Sequence, residues 1–218
     1  MSAADNYRAH GATLVKGLFQ PEVMTAMARQ IALGIGQSGE QFLAPPSLGN
    51  KPCYEVYCYH WPVLLTFLWG LTPKIEEVTG KTLLPSYSYF RTYQQGDVCR
   101  VHFDRPACEH SLSLTLAYSD GIEWPLAVAT QPVDMERFPT QPGGDPDFNG
   151  EPHMQLPMAP GDGVLYRGLE RRHGRLHGNP NRWSVHLFMH WVDRNGPHAE
   201  HAFDRQQMQG SVDFRFPE

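Results

Sequence analysis

From Pro85 onward the chain is cut by closely spaced turn residues into short apolar runs, and that pattern restricts its fold more than any other feature. The runs 86–93, 100–103, 112–118, 124–129, 163–167 and 182–192 are rich in β-branched or aromatic residues and are separated by Gly, Asp or Pro. Each reads as a strand. The first 84 residues have a different texture. A helix is predicted from Pro21, a favoured first-turn residue, with Val23, Met27 and Ile31 as its buried stripe and Gly34 and Gly36 at its end. A second helical region covers about 62–78, interrupted near Gly70 and Pro73. Two helices followed by at least six strands predict a mainly β fold with flanking α-helices, a double-stranded β-helix or jelly roll. The 218 residues form one domain in this reading. Helical support covers about 1–84, the jelly-roll core about 85–193, and a tail 194–218. The Pro/Gly-rich stretch 131–157 interrupts the strands and is a candidate mobile lid.

Charge narrows the partners. The chain carries a net charge of -5, whereas a protein that neutralises phosphates presents a basic face. The local cluster Arg171, Arg172, Arg175 and Arg182 is enough for one anionic ligand and too little to follow a nucleic-acid backbone. The polar N-terminus lacks the apolar run of a signal peptide, and the longest apolar stretch, 62–71, is broken by Thr66 and Gly70. Neither nucleic acid nor membrane is expected as a partner. Cys53, Cys58, Cys99 and Cys108 have no CxxC spacing, which argues against a zinc knuckle and for reduced, buried thiols in the cytoplasm.

His102-Phe103-Asp104 places an imidazole and a carboxylate at i and i+2 of a predicted strand, on one face and able to converge on one ion. With 11 histidines in the chain the tripeptide alone is weak, and a hydrogen-bonded surface pair is the plain alternative. A metal site of this kind needs a second histidine from a distant strand, since two His and one carboxylate with open positions suit non-haem iron. His173 and His177 are the candidates. His173 is preferred because Gly178-Asn179-Pro180-Asn181 places His177 near a turn in solvent.

The last strand presents two contrasting faces. Trp183, Val185, Leu187, Met189 and Trp191 are wholly apolar and suit packing under helices. Arg182, Ser184, His186, Phe188 and His190 form a mixed face, which marks either a polar site or a face turned to water.

The run from Arg91 to Asp104, containing Tyr93, Gly96, His102 and Asp104, resembles the metal-binding segment of prolyl-4-hydroxylase-like Fe(II)/2-oxoglutarate-dependent dioxygenases. Residues 114–118, 160–168 and 182–192 are similar, in order, to the later strands of that family. The resemblance implies that His102, Asp104 and His173 ligate Fe(II). It implies that Arg182 pairs with the distal carboxylate of 2-oxoglutarate, helped by Tyr118 and Tyr93, with Arg175 as the competing arginine. Many prolyl hydroxylases use Lys at the Arg182 position. The implied reaction is hydroxylation of a C–H bond by O2, with release of succinate and CO2; ascorbate can serve as reductant. The substrate would be a peptidyl, prolyl-like residue or a free amino acid or small metabolite. Halogenating relatives lack the carboxylate that Asp104 supplies, so oxygen chemistry is favoured. The rival readings are a catalytically inactive jelly-roll binding module and a cupin-type metalloenzyme.

Overall fold

The computed structural model describes residues 1–134, 136 and 141–205. In chain order the elements are α1 (Ala3–His10), β1 (Ala12–Val15), α2 (Pro21–Ser38), β2 (Leu43–Ala44), β3 (Cys53–Tyr57), α3 (Val63–Thr79) and β4 (Leu83–Gln94). There follow β5 (Cys99–His102), β6 (His110–Tyr118), β7 (Leu126–Ala129), β8 (His153–Leu156), β9 (Gly163–Tyr166), β10 (His173–Arg175) and β11 (Trp183–Asp193). Short 3-10 turns occupy Pro106–Cys108 and Ala199–Asp204.

The strands form two antiparallel sheets, as the pattern of turns predicts: a jelly roll braced by helices. The larger runs β1-β9-β6-β11-β4-β3-β2 and the smaller β5-β10-β7-β8. The apolar face of β11 does pack under the helices. Val185, Leu187, Met189 and Trp191 join Leu112, Leu114 and Leu116 of β6 and Phe90 of β4 against Met24, Met27 and Ile31 of α2 and Leu64, Leu68 and Ile75 of α3. The opposite face of the larger sheet, with Ser184, His186, Phe188 and His190, is buried toward the smaller one. Only Trp183 departs from this pattern, being about half exposed at the strand's start.

Both long helices are more continuous than predicted. α2 passes Gly34 and Gly36 and ends at Gly39, and its stripe begins at Met24, since Val23 is exposed. α3 runs through Gly70 and Pro73. An internal proline costs about 3 kcal/mol in a helix. Here the carbonyl it deprives of a donor belongs to the exposed Trp69, while Leu64, Leu68, Leu71, Ile75 and Val78 bury one face. Packing outweighs the local preference.

The region 1–84 is not helical support alone, because β1 and β3 pair with β9 and β4 in the larger sheet. Nor is 131–157 simply an interruption. Residues 135 and 137–140 lie outside the described residues, but β8 pairs with β7, and Asp145 bridges Val101 in both directions at 2.8 Å. Arg172 then holds Asp145 at 2.6 Å and Glu151 at 3.1 Å, with all three side chains buried. From Gln141 on, this segment is tied to the strand that carries His173. All four cysteines are buried and free. No helix among the described residues is long and apolar enough to cross a membrane.

Candidate metal centre

His102 closes β5 and His173 opens β10, and the two are direct partners across that strand pair. Their ring centroids lie 4.4 Å apart. Asp104 lies just past β5 rather than within it, and its backbone N–H donates to the Gly168 carbonyl at 2.9 Å. Asp104 Oδ1 sits 3.6 Å from Nε2 of both histidines. Each imidazole has its Nδ1 at a backbone carbonyl two residues earlier: His102 on Arg100 at 2.8 Å and His173 on Arg171 at 2.9 Å. A carbonyl only accepts, so Nδ1 carries the proton and the Nε2 lone pair faces Asp104. Burial works against a charged Asp104, and positive charge at His173 and His102 more than offsets it and holds the carboxyl well below its ordinary pKa; an ion bound to the two Nε2 atoms would supply that charge in their place.

This donor set fits a divalent ion. Adjacent donors on an ion with bonds of about 2.1 Å lie about 3 Å apart, so the observed spacing must contract by roughly half an ångström on binding. Two imidazoles and one carboxylate on one face suit iron(II) and leave positions open. Behind them, Ser111 Oγ donates to Asp104 Oδ2 at 3.0 Å and lies 2.9 Å from His190 Nδ1. Space here is tight. A Cβ at Gly168 would collide with Asp104 Oδ2 and stand 2.6 Å from the Cys108 carbonyl.

Two residues beyond His173, and so on the same face of β10, Arg175 enters the same pocket. It is 1% exposed, and no carboxylate among the described residues lies within ion-pair distance of it. Its guanidinium donates to the Trp124 carbonyl, sits 4.6 Å from that indole's centroid, and places Nη2 3.4 Å from Ser113 Oγ and 3.2 Å from His186 Nδ1. Burial and Arg175 both push the pKa of His186 down, keeping it a neutral acceptor. A buried cation supported only by neutral groups is a site for an anion. Arg91 also lines the pocket but pairs with Glu55 at 3.5 Å.

The remaining expectations divide. Tyr93 is buried, lines the pocket and packs edge-on to Trp124. Tyr118 is buried behind it, its hydroxyl engaged with Thr115 Oγ1 and the Trp124 backbone. Arg182 does not reach the pocket. It precedes β11, is 72% exposed along its side chain, and pairs outside with Asp120 at 3.1 Å. Strand parity fails there because the chain is still turning, so the arginine facing the triad is Arg175. His177 is exposed and away from the triad, lending its backbone carbonyl to Trp124 Nε1 at 2.7 Å. Sequence reasoning passed over Tyr89, Tyr166 and Ser111, and it placed His190 on the mixed face of the last strand without a role; all four complete the pocket and its support. Tyr166 packs 4.4 Å from His173, and its partner spacing across β6 is visible only in the folded sheet.

No protein-family model and no curated protein matches the chain. Solved structures do. The non-heme alpha ketoglutarate dependent epimerase SnoN from nogalamycin biosynthesis superposes with a TM-score of 0.71 at 13% identity, covering 98% of this chain and 89% of that one. A Pseudomonas putida prolyl-4-hydroxylase gives 0.59 at 16% identity over 89% and 98%. EctD from S. alaskensis gives 0.62 at 15% over 88% and 77%. At these identities the likeness establishes the fold.

Proposed function

We propose that this chain is an Fe(II)- and 2-oxoglutarate-dependent oxygenase that hydroxylates a C–H bond, with His102, Asp104 and His173 as the iron ligands. One observation carries the reading: two outward Nε2 lone pairs and a carboxylate oxygen converge beside a buried guanidinium that pairs with no carboxylate among the described residues. Arg175 would take the distal carboxylate of 2-oxoglutarate bidentately, while the metal takes the keto-acid end. Its neighbours Ser113 and His186 fix its orientation, and Tyr93 closes the wall beside it. Tyr118 acts one layer out, by holding Trp124 under the guanidinium. When bound, iron and the keto acid supply the oxidising power for an unactivated C–H, with release of succinate and CO2. The chain's own contribution is to hold the ligands in place, exclude water and orient the substrate.

The structural relatives act on varied substrates, as their names state: a prolyl hydroxylase and a nogalamycin epimerase both share the fold. A peptidyl residue and a small metabolite are therefore both admissible, with O2 as the second co-substrate. Four free buried thiols fit a reducing compartment, for which we assign the cytoplasm. The test is succinate formation from 2-oxoglutarate by the purified protein with Fe(II) and ascorbate. Turnover above the metal-free control is expected. A protein that binds metal but neither binds nor consumes the keto acid would instead be a non-catalytic module.

A further inference from the structure

The pocket has a second wall that neither the metal nor the keto acid uses. On the inner face of the larger sheet the rings of Tyr57, Tyr89 and Phe188 stand in register across β3, β4 and β11. Their centroids are 4.9 and 5.0 Å apart and their planes 21° from parallel. Tyr59 extends the row outward, stacked on Tyr57 at 5.9 Å and 4°, and it is 43% exposed. Tyr87 extends the wall inward, with its ring 4.5 Å from His190. Aromatic surface thus runs from beside Asp104 to solvent. Along it lies a cavity of about 340 Å³ lined by Tyr57, Tyr59, His60, Tyr87, Arg105 and Asp204.

Two features define what could occupy it. The arginine and the carboxylate that line this cavity are already matched to each other. Arg105 grips Asp204 with two bonds of 2.7 and 2.9 Å and lies over the Tyr87 ring at 4.4 Å. A charged occupant of this cavity would have to compete with that pair and would lose its hydration. The second feature is His190, which is buried and has no partner for Nε2 among the described residues. Its tautomer follows from its neighbours. Asp104 Oδ2 and the Cys108 carbonyl, the other neighbours of Ser111 Oγ, only accept, so the single Ser111 proton goes to one of them and His190 Nδ1–H must donate to Ser111 Oγ. Nε2 is left as a bare, buried acceptor on a residue that lines the pocket. A buried acceptor without a donor is costly, and a ligand hydroxyl removes that cost.

We infer that this aromatic wall is the prime-substrate subsite and takes an uncharged, ring-bearing molecule whose hydroxyl donates to His190 Nε2. The assignment rests on the oxygenase reading and deepens it by naming a substrate class. Flat apolar rings match the tyrosine and phenylalanine surface, and the phenol groups serve polar atoms on the ring periphery. A zwitterionic amino acid meets neither feature, and peptidyl proline, though uncharged, has neither an N–H nor a hydroxyl to offer His190 and no flat ring.

The test uses 2-naphthol and its methyl ether, 2-methoxynaphthalene, titrated calorimetrically into protein loaded with Mn(II) and 2-oxoglutarate. The hydroxyl form should bind about tenfold tighter than the ether, which cannot donate. His190→Leu should abolish that preference, and His190→Gln, which keeps an acceptor, should recover part of it. Should His190→Leu fail to fold, Tyr59→Ala at the exposed end should weaken both probes severalfold at an unchanged ratio. Equal binding of the two probes by the native protein, a preference that survives His190→Leu, or tighter binding of N-acetylprolinamide or free proline would each overturn the assignment. Failure of Mn(II) or 2-oxoglutarate to bind would count against the oxygenase reading instead, since the naphthol comparison can be run on the unloaded protein.

Discussion

At the scale of single residues, the choice between Arg175 and Arg182 separates what can be read along the chain from what folding decides. Arg182 has the expected distance in sequence from His173, yet it lies outside with Asp120, whereas Arg175 is buried beside the triad. Truncating one member of a buried charge pair costs about 2–5 kcal/mol. Arg175→Ala should therefore raise the half-saturating 2-oxoglutarate concentration by tens- to thousands-fold, while Arg182→Ala should shift it less than about twofold, as a solvent-screened ion pair would. The reverse ranking in a titration of both variants would return the role to Arg182. His102 and Asp104 were legible as a pair from their i, i+2 spacing, although Asp104 lies just past the end of β5. The same rule pairs His173 with Arg175, but β10 is three residues long with Gly174 at its centre, so nothing in the sequence marks it as a strand.

At the scale of elements, Gly174 and Arg172 explain why so short a strand is held so firmly. A Cβ at Gly174 would stand 2.6 Å from the Cys99 carbonyl and 3.0 Å from Val101 Cα, so Gly174→Ala must push β10 away from β5. Those strands carry His173 and His102. The expected outcome is a folded protein whose Mn(II) affinity falls at least about tenfold, since a metal site tolerates displacements of only a few tenths of an ångström. Native affinity in that variant would mean the strand separation does not set the ligand geometry. On the other flank, Arg172→Ala strands the buried carboxylates of Asp145 and Glu151. A loss of about 3–5 kcal/mol is expected from urea unfolding, together with new proteolytic cleavage near 141–151. Unchanged stability would show that the two carboxylates find other partners. These ion pairs join residues 21 and 27 apart in sequence, beyond the reach of local pattern, which is why 131–157 reads as a loose lid in sequence and yet is anchored from Gln141 on.

At the scale of the whole molecule, the two-sheet architecture buries histidines on its inner face and makes stability depend on pH. Burial, with a contribution from Arg167, lowers the pKa of His110 from 6.5 to about 4, and burial lowers that of His190 to about 4. Between pH 6.5 and 4 the unfolded chain takes up these protons and the native one does not, so stability falls as pH falls. For the metal-free protein the loss between pH 7 and pH 5 should be about 2 kcal/mol per histidine, measurable as a lower urea midpoint. An unchanged midpoint would mean that these rings are hydrated in solution. The jelly roll, the two long helices and the longer strands after Pro85 were legible from turn spacing and strand composition. The contribution of β1 and β3 was not, because strands of only four and five residues gain their stability from pairing with β9 and β4 rather than from their own sequence. The proposed function requires the metal and the keto acid to share one pocket. That claim is tested most directly by adding 2-oxoglutarate to the Fe(II) protein without oxygen and recording the visible charge-transfer band of the chelate. The account predicts a saturable band in the native protein, lost in His173→Ala and moved to far higher 2-oxoglutarate in Arg175→Ala. No band in native protein that retains Fe(II) would contradict it.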